Sequence, residues 1–127
     1  MAKILIIDDD SQIRGMLRRV LQRAGHGVLE ASDGNQGVAL CRRDLPDVVL
    51  TDIVMPEKEG IGTIVELRRE WPGLPIIAMS GGARYGPREY LEAARHLGAA
   101  LALEKPFRPR QVLEAIEQLL QDAPATD

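Results

Sequence analysis

The chain has 127 residues, 45% hydrophobic and 28% charged, and sixteen basic side chains against nineteen acidic ones leave a net charge of −3. That length suits one domain with one core, and the composition excludes disordered, collagenous and membrane-spanning classes. The charge balance gives no electrostatic grip on nucleic acid, no apolar run reaches the ~20 residues of a bilayer span, and MAKILIIDDD has acids where a signal peptide needs an apolar core. A cytoplasmic protein with no membrane and no direct nucleic-acid contact is expected.

The first apolar run, ILII (4–7), is too short for a helix and ends on three consecutive carboxylates, Asp8, Asp9 and Asp10. Asp10 or Ser11 then caps a helix in which Ile13, Leu17, Val20, Leu21 and Ala24 recur at helical spacing, and Gly25 stops it. Its other face carries Arg14, Arg18, Arg19 and Arg23. These read as a solvated face, with a docking edge for an acidic partner as the alternative. GVLEA (27–31) is the second strand. A helix over 35–43 follows, with Val38, Ala39 and Cys41 or Leu40 inward, and Pro46 prevents its continuation. Cys41 is the sole cysteine. It can form neither an intramolecular disulfide nor a cysteine-based metal site, and reads as a small core hydrophobe.

DVVLT (47–51) is the third strand; the next helix starts near Pro56 or Glu57 and buries Ile61, Ile64, Val65 and Leu67 before Trp71 and Pro72. PIIAM (75–79) is the fourth strand, followed by the glycine-rich loop SGGARYGP and a helix over about 88–97. ALALE (100–104) is the fifth, and a last helix after KPFRP carries Val112, Ile116, Leu119 and Leu120. Most of these runs are rich in Val, Ile and Leu without clear alternation, as in strands covered on both faces. Strand and helix alternating five times imply an α/β fold: a doubly wound, five-stranded parallel sheet with helices on both faces. Residues 1–121 form the domain, and DAPATD (122–127) is a tail or the start of a linker.

In an open sheet of this kind the ligand site lies beyond the carboxyl ends of the strands. Strand one ends at Asp8, Asp9 and Asp10, strand three at Asp52, strand four at Ser80 with Gly81 and Gly82, and strand five at Glu104 and Lys105. If strands one and three are neighbours, three carboxylates converge, and each pair ~5 Å apart repels by roughly 3 kcal/mol at an effective dielectric of 20. Lys105 offers one compensating charge. A hard divalent cation offers two and suits a site of carboxylates, a carbonyl and water, so Mg²⁺ is expected, with Mn²⁺ the alternative. A carboxylate held beside such an ion can attack phosphorus while Lys105 and the Ser80 hydroxyl neutralise phosphoryl oxygens. Asp52 stands alone at its strand end and is the best nucleophile. Singly, each residue has a bland explanation as a cap or a turn; their joint placement at four strand ends is what points to chemistry.

The motifs IIDDD (6–10), LTDIVMPEKEG (50–60), IIAMSGG (76–82) and LEKPF (103–107) closely resemble those of the receiver domain of two-component response regulators, over essentially the whole chain. The resemblance implies the flavodoxin-like strand order 2-1-3-4-5. It implies Asp52 as phosphoacceptor, Asp9 as a direct Mg²⁺ ligand, Asp8 binding the ion mainly through water, and the Val54 backbone carbonyl as a further ligand. Ser80 would be the hydroxyl switch, Lys105 the lysine on the phosphoryl group, and Lys105-Pro106 a cis bond. The phosphoryl donor would be a histidine of a sensor kinase or phosphotransfer protein. The signal would pass to an output domain or target protein, with dimerisation on phosphorylation among the expected responses.

Three features depart from the family pattern. Ala102 stands where family members carry a switching aromatic, so the signal must leave through the SGGARYGP loop and the helix after it, or through Tyr85 or Tyr90. Val54 and Gly82 cannot orient a hydrolytic water, which predicts slow self-dephosphorylation. The loop after Ser80 is longer than usual. An aspartate-nucleophile phosphatase and a receiver-like module that is never phosphorylated are the competing classes, and IIDDDSQ lacks the threonine that the phosphatase would need.

Overall fold

Each apolar run is a strand in the computed structural model: β1 (Lys3–Ile7), β2 (Gly27–Ala31), β3 (Val48–Asp52), β4 (Ile76–Ser80) and β5 (Leu101–Glu104). The structure describes residues 2–53, 60–80, 92, 95–96, 98–104 and 108–122. All four pairings are parallel and the order is β2-β1-β3-β4-β5. Parallel strands have to be crossed over by helices, here α1 (Ser11–Arg23), α2 (Gly34–Arg43) and α3 (Gly60–Glu70), with α4 (Pro109–Asp122) following the last strand.

Covering both faces explains why the strands do not alternate. Leu5, Ile7, Val49, Ile76 and Ala78 form one core with Val38 and Cys41 of α2 and Ile64 and Leu67 of α3. Ile4, Ile6, Val48, Leu50, Ile77 and Met79 form the other with Leu17 and Leu21 of α1 and Val112 and Ile116 of α4. Each of these large aliphatic side chains contributes about 2 kcal/mol by leaving water.

Local chemistry sets the helix ends. The Asp10 carboxylate accepts the Gln12 and Ile13 amides at 2.9 and 3.4 Å, and Gly25, at φ 93°, turns the chain out of α1. Asp33 caps α2 by accepting the Gln36 amide at 2.8 Å, while the Gln36 side chain accepts the Ser32 amide. Helix α2 lies so close to the sheet that a Cβ on Gly37 would sit 2.3 Å from Ile7 Cδ1. Any larger residue there would have to push the Ile7 side chain aside.

Periodicity alone misplaced two alanines. Ala24 is exposed at the C-cap of α1, and Ala39 is exposed on α2, whose inward face is Gly34, Gly37, Val38 and Cys41. In α3, Thr63 takes a fully buried position while Val65 is half-buried. The expected start of that helix near Pro56 or Glu57 lies outside the described residues, as do Ile61's side chain, the SGGARYGP loop after Ser80 and most of the expected helix over 88–97; Glu92, Arg95 and His96 are helical. Among the described residues no helix is long and apolar enough to cross a membrane.

Candidate phosphoryl-transfer and metal site

Strands β1 and β3 are adjacent and in register, Ile7 beside Thr51. The next residue on each is therefore an acid, Asp8 and Asp52, at the carboxyl edge of the sheet. Asp8 is 0% and Asp52 5% exposed, and Asp9 faces solvent. One carboxylate oxygen from each of Asp8, Asp9 and Asp52 lies within 4.8 Å of the others.

Backbone bonds keep this edge rigid. The Asp8 amide donates to the Ala31 carbonyl at 3.1 Å and the Ile53 amide to the Met79 carbonyl at 3.0 Å. The Thr51 hydroxyl donates to the Asp52 carbonyl at 3.2 Å. Asp8 Oδ1 accepts the Asp10 amide at 2.9 Å, which turns the chain sharply into α1.

Ser80 ends β4, one residue past Met79, the partner of Asp52. Its hydroxyl is fully buried and has no hydrogen-bond partner among the described residues. A buried hydroxyl left unmatched costs about 1–3 kcal/mol, which is the kind of local cost a binding site retains. Glu104 pairs with Ser80 at the end of β5; Lys105 and Val54, both expected in the site, lie outside the described residues.

The cluster has the chemistry of a hard-cation site. Its donors are all oxygen, it contains neither cysteine nor histidine, and three mutually repelling carboxylates within 4.8 Å favour a divalent ion. His26 has a structural part instead, its Nδ1 accepting the Ala2 amide at 3.2 Å, and His96 is exposed.

The description "Response regulator receiver domain" fits residues 4–117 as a family. The chain belongs to that family. Its receiver domain is 37% identical over 121 residues to the transcriptional regulatory protein CpxR of Klebsiella pneumoniae, covering 95% of this chain and 50% of that protein. It is 35% identical over 118 residues to the chemotaxis protein CheY of Thermotoga maritima, covering 92% of this chain and 96% of that one. Among solved structures, a CheY-like receiver domain protein from Methanospirillum hungatei matches with TM-score 0.89 at 28% identity, over 97% of this chain and 96% of that one. The chain spans about half the length of the first curated relatives it matches. Receiver domains are phosphorylation switches of two-component systems that bind Mg²⁺ at an acidic cluster, and Asp8, Asp9 and Asp52 form such a cluster here.

One contributor escaped the reading of the sequence. Arg14, assigned to a solvated face, has a side chain only 19% exposed. Its guanidinium donates to the Asp8 carbonyl at 2.7 Å. The signal was present in principle: helical side chains lean toward the helix N-terminus, so the residue four after the Asp10 cap overhangs the acidic turn.

Proposed function

We propose that Asp52 accepts a phosphoryl group from a phosphohistidine of a sensor kinase or phosphotransfer protein, with Asp8, Asp9, Asp52 and the Val54 carbonyl holding Mg²⁺. The convergence of the three carboxylates within 4.8 Å at the ends of β1 and β3 is the observation that most supports this assignment. An Asp52 oxygen attacks phosphorus as the phosphorus–nitrogen bond breaks, and the imidazole leaves with the electron pair and takes up a proton. When bound, a divalent ion neutralises carboxylate and phosphoryl oxygens, so that an anion can approach an anion. The Ser80 hydroxyl, without an acceptor among the described residues, gains one in the phosphorylated state, and Lys105 pairs with a further phosphoryl oxygen.

That difference between states is a switch. A phosphoryl oxygen that binds Ser80 favours whichever arrangement of the following loop points the hydroxyl inward. The chain catalyses only its own phosphorylation and dephosphorylation, the latter slow because Val54 and Gly82 offer no side chain to a water. The output is a partner protein or an attached domain, with dimerisation on phosphorylation one route to it, and the receiver itself contributes no nucleic-acid surface.

Incubation with acetyl phosphate and Mg²⁺ tests the assignment. A phosphoryl adduct mapped to Asp52 by mass spectrometry, absent with EDTA and in Asp52→Asn, is the expected result. An adduct elsewhere, or none, refutes it.

A further inference from the structure

We propose that Arg14 is a positioning residue for the acidic pocket: braced by Glu30, it fixes the peptide that carries Asp9 and so sets how tightly the pocket holds a divalent cation. The proposal rests on the assignment of Asp8, Asp9 and Asp52 as the ion's ligands.

Asp8 and Asp9 differ in how they are held. Asp8 is buried, its amide bonded to Ala31 and its carboxylate to the Asp10 amide. Asp9 is exposed, and among the described residues no hydrogen bond or ion pair holds its carboxylate. Its direction is therefore inherited from the backbone. The Asp8 carbonyl and the Asp9 amide share one rigid peptide plane, and that carbonyl receives Arg14 at 2.7 Å. Rotating the plane would swing Asp9 away from its partners, and the guanidinium bond opposes that rotation.

Arg14 is itself braced. Its Nε lies 3.4 Å from Glu30 Oε1, on strand β2, and the other Glu30 oxygen is 2.9 Å from Arg18. One planar guanidinium thus ties α1 to the β1–α1 turn and to β2, a fork that a lysine ammonium cannot reproduce. Arg18, one turn on, shares Glu30 but is 49% exposed. No bond from it to the acidic turn is present among the described residues.

The sign of the effect separates positioning from simple electrostatics. A cation at the rim of a cation site repels the ion, so loss of Arg14's charge alone would tighten Mg²⁺ binding. Loss of positioning weakens it, and outer-layer supports of metal ligands are worth about tenfold in affinity.

The test is Mg²⁺ titration of the isotope-labelled full chain, followed by amide chemical shifts, with urea midpoints recorded in parallel. Arg14→Gln should weaken binding about tenfold and Arg14→Lys should recover part of that loss. Glu30→Gln should weaken binding too, but add nothing in the Arg14→Gln background, because it acts through Arg14. Arg18→Gln should stay within about twofold of the unsubstituted chain, its exposed charge being screened. Tighter or unchanged binding in Arg14→Gln overturns the proposal, as does an equal loss in Arg18→Gln. If Arg14→Gln fails to fold, Arg14→Lys decides, since it keeps the charge and loses the fork, and unchanged or tighter binding there overturns the proposal. An unsubstituted chain that binds no Mg²⁺ overturns the ligand assignment first and this inference with it.

Discussion

Replacing Asp8 by asparagine stabilises the chain in the absence of divalent ions. With one oxygen from each of Asp8, Asp9 and Asp52 within 4.8 Å of the others, each ionised pair repels by roughly 3 kcal/mol at an effective dielectric of 20. The Asp8–Asp52 pair is buried and keeps most of this, whereas the pairs that include the exposed Asp9 are screened by water and salt. Asparagine retains an oxygen to accept the Asp10 amide, held at 2.9 Å, so the turn into α1 is kept. Asp8 and Asp52 each make further interactions that offset part of this repulsion, so a net gain of about 1 kcal/mol over a slope of about 1.5 kcal/mol/M moves the urea midpoint up by about 0.7 M. Mg²⁺ at about ten times its dissociation constant then stabilises the unsubstituted chain by about 1.4 kcal/mol. It should do little for Asp8→Asn, so the gap narrows. Urea unfolding followed by circular dichroism, in EDTA and in Mg²⁺, reads both effects. Equal midpoints in EDTA, or an equal response to Mg²⁺, would refute the reasoning.

Three further perturbations probe the scaffold around the site. Gly37→Ala places a Cβ 2.3 Å from Ile7 Cδ1; overpacking of about 2 kcal/mol against a helix-propensity gain of about 1 leaves a net loss of about 1 kcal/mol. Adding Ile7→Val, which removes Cδ1, should make the pair non-additive in a urea cycle. Arg68 joins the end of α3 to the turn before β5, donating to the Pro72 and Gly98 carbonyls at 2.6 Å each. Burial lowers its pKa, and Arg68→Met should cost about 2 kcal/mol in chemical denaturation, with Arg68→Lys restoring only part. The Cys41 thiol is pushed up to about 11, first by burial and then by the charge of Glu70. Because the folded value lies above the unfolded one, the neutral thiol's contribution to stability is complete below pH 9 and is lost as pH rises through 11. Iodoacetamide at pH 8 should therefore label the folded chain slowly and the urea-unfolded chain quickly.

Much of this protein could be read one segment at a time. The runs ILII, GVLEA, DVVLT, PIIAM and ALALE lie on the five strands to within a residue or two, because an apolar run too short for a helix has few other places to go. Asp10 was legible as a cap, and Asp8, Asp9, Asp52 and Ser80 as strand-end residues, since these depend on neighbours in the chain. Which strand lies beside which is a non-local matter. From the residues alone the meeting of Asp8 and Asp52 is conditional; the family resemblance implies the order that places β1 beside β3, and the two strands do pair.

The remainder belongs to tertiary structure for the same physical reason. Helical periodicity marks an apolar stripe but not its edges, so Ala24 and Ala39 were placed inside and stand outside, while Thr63 is buried between elements that sequence spacing cannot relate. The close approach of Gly37 to Ile7 is set by how deeply α2 settles on the sheet. Arg14 looked like one of four similar arginines on one helix face. Only the packing of α1 against the end of β1 and against Glu30 gives it a carbonyl and a carboxylate to hold, because a long flexible side chain takes its role from what the fold brings within its reach.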